Sequence, residues 1–193
     1  MPIKSATHPG VLRYGFEETA LGTIMAAESE NGVAALFIGD DRARLARDLE
    51  RAFPHARICH DQAASAGTIA KAVALVEAPH RESGLKLDLG GSPLERAVWE
   101  ALCAIAPGET SSYGAIARNL PIAATAQDVG AACAANLIAV AIPCHRVVKA
   151  DGGISGYRWG VARKRRLIAL ERDARPRTVF FGFHVTQAGY LSS

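Results

Sequence analysis

Cysteine is scarce in this chain and poorly placed for a scaffold. Its four copies, Cys59, Cys103, Cys133 and Cys144, have no CxxC spacing. That argues against a disulfide framework and a zinc knuckle, which need partners at short fixed intervals. No metal ligand set and no cofactor are expected. Long apolar runs are missing too. None approaches the ~20 residues that cross a bilayer, and no secretory leader is visible at the start. A reduced, cytoplasmic setting is therefore expected, and it suits a free thiol. A strong charge of one sign is also lacking. The net charge is +3 over 193 residues. Residues 1–91 hold 10 Lys/Arg against 12 Asp/Glu, residues 92–173 hold 10 against 7, and two arginines lie beyond. This mild basic bias permits nucleic-acid contact, but an ordinary solvated surface gives the same count.

The chain is 49% hydrophobic, enough for one ordinary domain or two small ones. The first ninety residues read as a small α/β unit. "VLRYGFEET" and "GTIMAAES" have strand character, "SENG" is a turn, and "VAALFIG" pairs back. Leu45, Leu49 and Phe53 recur at four-residue spacing on a helix stopped by Pro54. A second helix is predicted within 61–77, and "GLKLDLG" is a short alternating strand. Cys59 and His60 are adjacent, but a metal needs more ligands, so they are read as structural or surface residues.

"GG" at 90–91 marks the boundary. Ser92 is then an N-cap, Pro93 sits at N1, and Glu95 completes a capping box. Leu94, Val98, Leu102 and Ile105 form the buried stripe, with Cys103 as a small core residue. Short helices follow at about Tyr113–Asn119 and Thr125–Ala135. They fit a helix-turn-helix or any small helical hairpin. Asn136 falls where the second helix stops, and asparagine tolerates the left-handed conformation there. A last helix, "GVARKRRLIALERD", turns Val161, Leu167, Ile168 and Leu170 inward and Arg163 to Arg166 mainly outward. The segment after it, with Phe180, Phe181 and Phe183, does not integrate with that helix and reads as an atypical tail.

Cys144 and His145 stand side by side in "IPCHRVV", after an apolar run ended by Pro143. A thiol becomes a strong nucleophile only when deprotonated, and a nearby base or cation favours that. Successive side chains of an extended segment point to opposite faces, so adjacency does not prove contact. His145 needs a water bridge or a bend to reach Cys144. A carboxylate would orient the imidazole, and Glu171 is one candidate.

"IPCHRVV", with "SSYGAIA", "AACAAN" and "SGYRWG" around it, resembles the O6-alkylguanine-DNA alkyltransferase family, and within it the alkyltransferase half of the bacterial adaptive-response proteins. The likeness is strong over about 92–171 and general over the first ninety residues. It implies an α/β amino-terminal domain over 1–90, a small antiparallel sheet with helices of ribonuclease-H-like form. A mainly α alkyltransferase domain with a winged-helix-like helix-turn-helix follows over 91–173, with the tail at 174–193. It also implies a single-turnover reaction. A damaged guanine, or O4-alkylthymine, is flipped from double-stranded DNA, and a cysteine takes its alkyl group. The protein would act as a monomer without a membrane. On this chain Cys144 becomes the acceptor, His145 the water-mediated base and Glu171 its orienting carboxylate. Tyr113 orients or protonates the leaving guanine and rotates the phosphate. Ser155 and the backbone around Val147 line the base pocket, Asn136 is a hinge, and Cys133 falls on the pocket wall. Gln127, Arg118 and Ala131 face DNA.

Two positions depart from the family's pattern. Gln127 stands where an arginine usually enters the duplex, and the acidic Asp128 follows it. Glutamine lacks arginine's charge and planar fork, so slower action on duplex DNA is expected. Leu137 stands where many members have proline. The four-cysteine zinc site and regulatory segment of the adaptive-response sensor half are not seen, so activation of transcription by that route is not expected. Two other readings remain open here: a non-catalytic lesion-binding relative, and a Cys–His hydrolase or redox enzyme.

Overall fold

The computed structural model describes residues 10–80 and 84–174. The tail assigned to 174–193 lies outside them from residue 175 onward. Strands β1 (Val11–Thr19), β2 (Gly22–Ser29) and β3 (Gly32–Gly39) form an antiparallel meander. Their predicted boundaries hold almost to the residue, because each is an apolar alternation ended by a turn. Gly32, at φ +142°, makes the second turn. A Cβ there would stand 2.4 Å from the Lys86 carbonyl oxygen, so both the conformation and the close approach favour glycine.

Helix α1 (Arg42–Ala52) follows β3 and buries Leu45, Leu49 and Ala52, with Asp41 capping the Arg44 amide at 3.0 Å. The sheet is mixed, which corrects the expected antiparallel one. Helix α1 carries the chain back across the sheet, so β4 (Arg57–His60), which was not predicted, runs parallel to β1. The strand order is β3-β2-β1-β4. Helix α2 (Gln62–Glu77) packs on β1 and β2. It approaches closely at Gly15, where a Cβ would lie 2.7 Å from Ile69 Cδ1. The Gln62 amide bonds both the N–H and the carbonyl of Phe16, each at 2.9 Å.

The outer edge of β3 is covered by two stretches of later chain. Asp88 N donates to Val33 O at 2.9 Å, and Val33 N to Lys86 O at 2.8 Å. Here the strand expected in "GLKLDLG" shrinks to one bridge at Leu87, because only that point reaches the edge. Further along, Leu36 N donates to Leu137 O at 3.0 Å and receives Ala139 N on its own carbonyl at 2.8 Å. The edge is therefore satisfied from within. The segment before Cys144 hangs on it.

Helix α3 (Pro93–Cys103) starts with the predicted Ser92–Glu95 capping box. A cap of this kind is worth about 1 kcal/mol. Val98, Leu102 and Trp99 are buried, but Leu94 and Ile105 are only half-buried. Cys103 is exposed, contrary to the core placement expected, because it ends the helix off the buried stripe. Helices α4 (Tyr113–Asn119) and α5 (Ala126–Ala135) pack on each other and begin at Ser112 and Thr125 caps. The short strands β5 (Ser111–Ser112) and β6 (Val147–Val148) pair in parallel. Helix α6 (Val161–Asp173) closes the described structure. Val161 is exposed, against expectation, because it opens the helix at the surface. One hydrophobic cluster runs through sheet and helices, from Leu12 and Leu36 to Val98, Ile138 and Leu167. Among the described residues no helix is long and apolar enough to cross a membrane, and no group of three or more His, Cys, Asp or Glu is placed to hold a metal ion.

Candidate active site

The loop between α5 and Cys144 is built around one amide. Asn136 is fully buried. Its Oδ1 accepts Ile138 N at 2.7 Å, and its Nδ2 donates to Ile142 O at 3.0 Å and to Cys144 Sγ at 3.3 Å. One side chain thus pins both ends of the loop and touches the thiol. Its backbone sits at φ −59°, ψ 123° and not in the expected left-handed region, because the side chain stops the helix. Val140 takes the left-handed conformation instead, at φ +64°, while buried. For a β-branched residue this strain costs on the order of 1–3 kcal/mol. The Asn136 clamps and the β3 edge hold the loop in place.

Pro143 then fits a tight turn, at φ −82°, ψ 57°, with Cys144 N donating to Ile142 O at 2.8 Å. Residues Cys144–Arg146 form a single 3₁₀ turn. No hydrogen bond joins the thiol to the imidazole, whose Nδ1 has no partner among the described residues. His145 is fully buried, and its Nε2 lies 2.8 Å from Glu171 Oε1. The Glu171 carboxylate also accepts Arg146 Nη2 at 2.8 Å, Arg146 Nε at 3.1 Å and Gly108 N at 2.9 Å. Burial works against its ionisation, but the bonds from His145 and Arg146 prevail and hold its pKa at about 2. Burial lowers the His145 pKa despite Glu171, so the imidazole is neutral. Its Nε2–H then faces an ionised carboxylate, which leaves Nδ1 as the acceptor. Burial also raises the Cys144 pKa, opposed by the Asn136 bond, Lys164 and Arg158. The resting thiol is protonated.

A second polar chain lies beside the first. Tyr113 OH is 2.6 Å from Ser155 Oγ, and Lys164 Nζ donates to Ser155 Oγ at 2.8 Å and to Val147 O at 2.5 Å. Lys164 was expected to face outward with the basic run. It is fully buried, and no carboxylate pairs with it among the described residues. Arg165 and Arg166 do face solvent. Arg163 is half-buried, bonding Leu21 O at 2.7 Å and pairing with Asp40. The helix period alone places Lys164 beside Leu167, Ile168 and Glu171. That was the signal available in the sequence, and the run of like charges hid it.

A cleft of about 670 Å³ opens onto the thiol, lined in part by Tyr113, Gln127, Ala131, Cys133, Cys144 and Tyr157. Of the predicted residues, Tyr113, Gln127, Ala131 and Cys144 thus share one cleft. Asn136, His145 and Glu171 stand behind the thiol. Ser155 and the Val147 carbonyl join the Lys164 cage and are not among the groups lining that cleft. Arg118 is exposed at the end of α4, away from it. Asp128 is occupied as a cap, accepting Thr125 N at 2.8 Å and Thr125 Oγ1 at 2.7 Å. Cys133 is a half-buried wall residue whose pKa burial pushes to about 12.

A family profile described as "6-O-methylguanine DNA methyltransferase, DNA binding domain" matches residues 93–173. A methylated-DNA–protein-cysteine methyltransferase of Mycolicibacterium paratuberculosis is 43% identical over 113 residues, covering 58% of this chain and 68% of that protein. The chain belongs to the methylated-DNA–protein-cysteine methyltransferase family. Another member, the bifunctional transcriptional activator/DNA repair enzyme Ada of Escherichia coli K12, is 37% identical over 180 residues, 92% of this chain. The chain spans about half of that protein's length, 51%. The crystal structure of Mycobacterium tuberculosis OGT in complex with DNA superposes with a TM-score of 0.69 at 30% identity, over 86% of this chain and 96% of that one.

Proposed function

We propose that the protein repairs DNA by moving an alkyl group from O6-alkylguanine, and from O4-alkylthymine, onto Cys144 in a single turnover. The observation that carries this is the buried thiol at the base of a cleft, backed by a neutral imidazole whose far nitrogen is held by an ionised carboxylate. The thiol proton passes through a water to His145 Nδ1, and Glu171 stabilises the imidazolium that forms. The thiolate attacks the alkyl carbon. The S–C bond forms, the C–O6 bond breaks, and the electron pair leaves with the guanine. Tyr113 donates a proton to that leaving base. Ser155 and the buried Lys164 ammonium lie behind Tyr113 and offset the charge left on it. The thioether has no route back to a thiol, so each molecule acts once.

In this reading the α4–α5 pair is a helix-turn-helix of winged-helix type, placed against duplex DNA by α5. Gln127 at the cleft mouth enters the space left by the flipped base, and Ala131 gives close approach. Arg118 contacts a phosphate. Asn136 acts as the hinge that links α5 to the acceptor. The α/β unit over 1–90, of ribonuclease-H-like form, supports the loop through the edge of β3. The alkyltransferase unit spans 91–173, with the tail at 174–193. The protein works as a monomer in the cytoplasm. A lesion-binding role without transfer is not favoured, since its distinguishing mark is the lack of the cysteine present here. Titration with a duplex containing O6-methylguanine tests the proposal: repaired lesions should plateau at one per protein molecule. Continuing turnover, or no repair at all, would count against it.

A further inference from the structure

Around Cys144 three buried polar atoms have no hydrogen-bond partner among the described residues: Nδ1 of His145, the phenol oxygen of Tyr157 and Nε of Arg158, and the first two belong to rings in contact. Buried polar groups are nearly always paired, so each exception needs a reason. The two rings pack edge to face, with centroids 6.3 Å apart and planes at 77°. Tyr157 also lines the cleft with Cys144. Burial first, and then the closeness of Cys144 and Glu171, keeps the phenol protonated well above its ordinary range.

The hydrogen-bonding characters of these groups are complementary. His145 has its Nε2–H on Glu171, so Nδ1 accepts. The phenol is a donor with no acceptor among the described residues. The thiol donates before ionisation and accepts after it. A buried water is held by about two to four polar partners. The thiol and Nδ1 supply two, and the phenol supplies a third. We propose that Tyr157 is a positioning residue for thiol ionisation, its O–H donating to the water that joins Cys144 to His145 Nδ1. This rests on the alkyl-acceptor reading above. The thiol proton goes to that water as the water's own proton passes to Nδ1. The S–H electron pair stays on sulfur, and Tyr157 keeps its proton throughout. The charged and titratable groups around the three are Glu171, Lys164 and Arg163 of α6, Arg146 of the 3₁₀ turn, Arg158 of the loop before α6, Tyr113 of α4 and Cys133 of α5. Tyr157→Phe changes none of them and keeps the ring contact with Trp159, whose centroid lies 5.2 Å away.

The test is the rate of Cys144 capture by iodoacetamide as a function of pH, in the wild type, Tyr157→Phe, His145→Ala and the double variant. Loss of one hydrogen bond predicts about fivefold to tenfold slower capture near neutrality in Tyr157→Phe. Its profile should move to higher pH and meet the wild type in alkali, where hydroxide ionises the thiol without the relay. In the His145→Ala background, Tyr157→Phe should add nothing. An unmoved profile, a uniform slowing at every pH, or an equal effect without His145 would overturn the role of Tyr157. Methyl transfer from an O6-methylguanine oligonucleotide, measured on the same proteins, separates the two claims. Transfer with an unmoved profile sinks only this inference, whereas no transfer by the wild type sinks the reading beneath it.

Discussion

Glu171 carries the heaviest electrostatic load in the site, and its removal has a calculable consequence. Its carboxyl stands at about 2, against an ordinary 4.5, because His145 and Arg146 bond its charged form. At about 1.4 kcal/mol per pH unit, that gap corresponds to about 3 kcal/mol of folding stability. The folded-state value is depressed, so the contribution is fully present above about 4.5 and drains away as pH falls towards about 2. Glu171→Gln keeps the shape, removes the charge and sets amide N–H groups against the donors of Arg146. Urea unfolding followed by the fluorescence of Trp99 and Trp159, both buried, measures the difference. The variant should be about 3 kcal/mol less stable at neutral pH, with the deficit closing between about 4.5 and 2. A deficit that stays constant down to the acid end would refute the account, since packing and not ionisation would then be its cause.

Asn136→Ala removes three hydrogen bonds and leaves the buried Ile138 N–H unpaired. It should cost about 2–4 kcal/mol in the same unfolding assay and shift thiol capture to higher pH. Lys164→Met removes a buried cation that has no carboxylate partner among the described residues. Stability should hold or rise, while methyl transfer slows at least tenfold in a quenched time course, the scale of one lost transition-state donor. Gln127→Arg should speed repair of duplex O6-methylguanine while leaving the rate on free O6-benzylguanine unchanged, and equal effects on both would remove Gln127 as a determinant of duplex repair.

The parts of the fold that could be read from sequence were those set by local chemistry. The Ser92–Glu95 box, the Thr125 start and the β1–β2–β3 alternation depend on neighbours a few residues apart. What escaped was set at long range. The strand β4 is four residues of mixed character, and only the return of α1 places it beside β1. The run of like charges around Lys164 masks its inward position, and its three acceptors, on Val147, Ser155 and Gly156, come together only once the loop has folded over it. The backbone role expected of Asn136 misses its side chain, whose three hydrogen bonds fix the loop. Cys144 and His145 stand out in the sequence and Glu171 joins them through the family resemblance, whereas the 2.8 Å approach of His145 to Glu171 is set by the 3₁₀ turn and the register of α6.

The central claim is that Cys144 is the acceptor, and mass spectrometry tests it most directly. After incubation with duplex DNA carrying O6-methylguanine, the intact protein should gain the mass of one CH₂ unit. Peptide mapping should place it on Cys144, and Cys144→Ala should gain nothing. Binding without any adduct, or an adduct mapped to Cys133, would contradict the account.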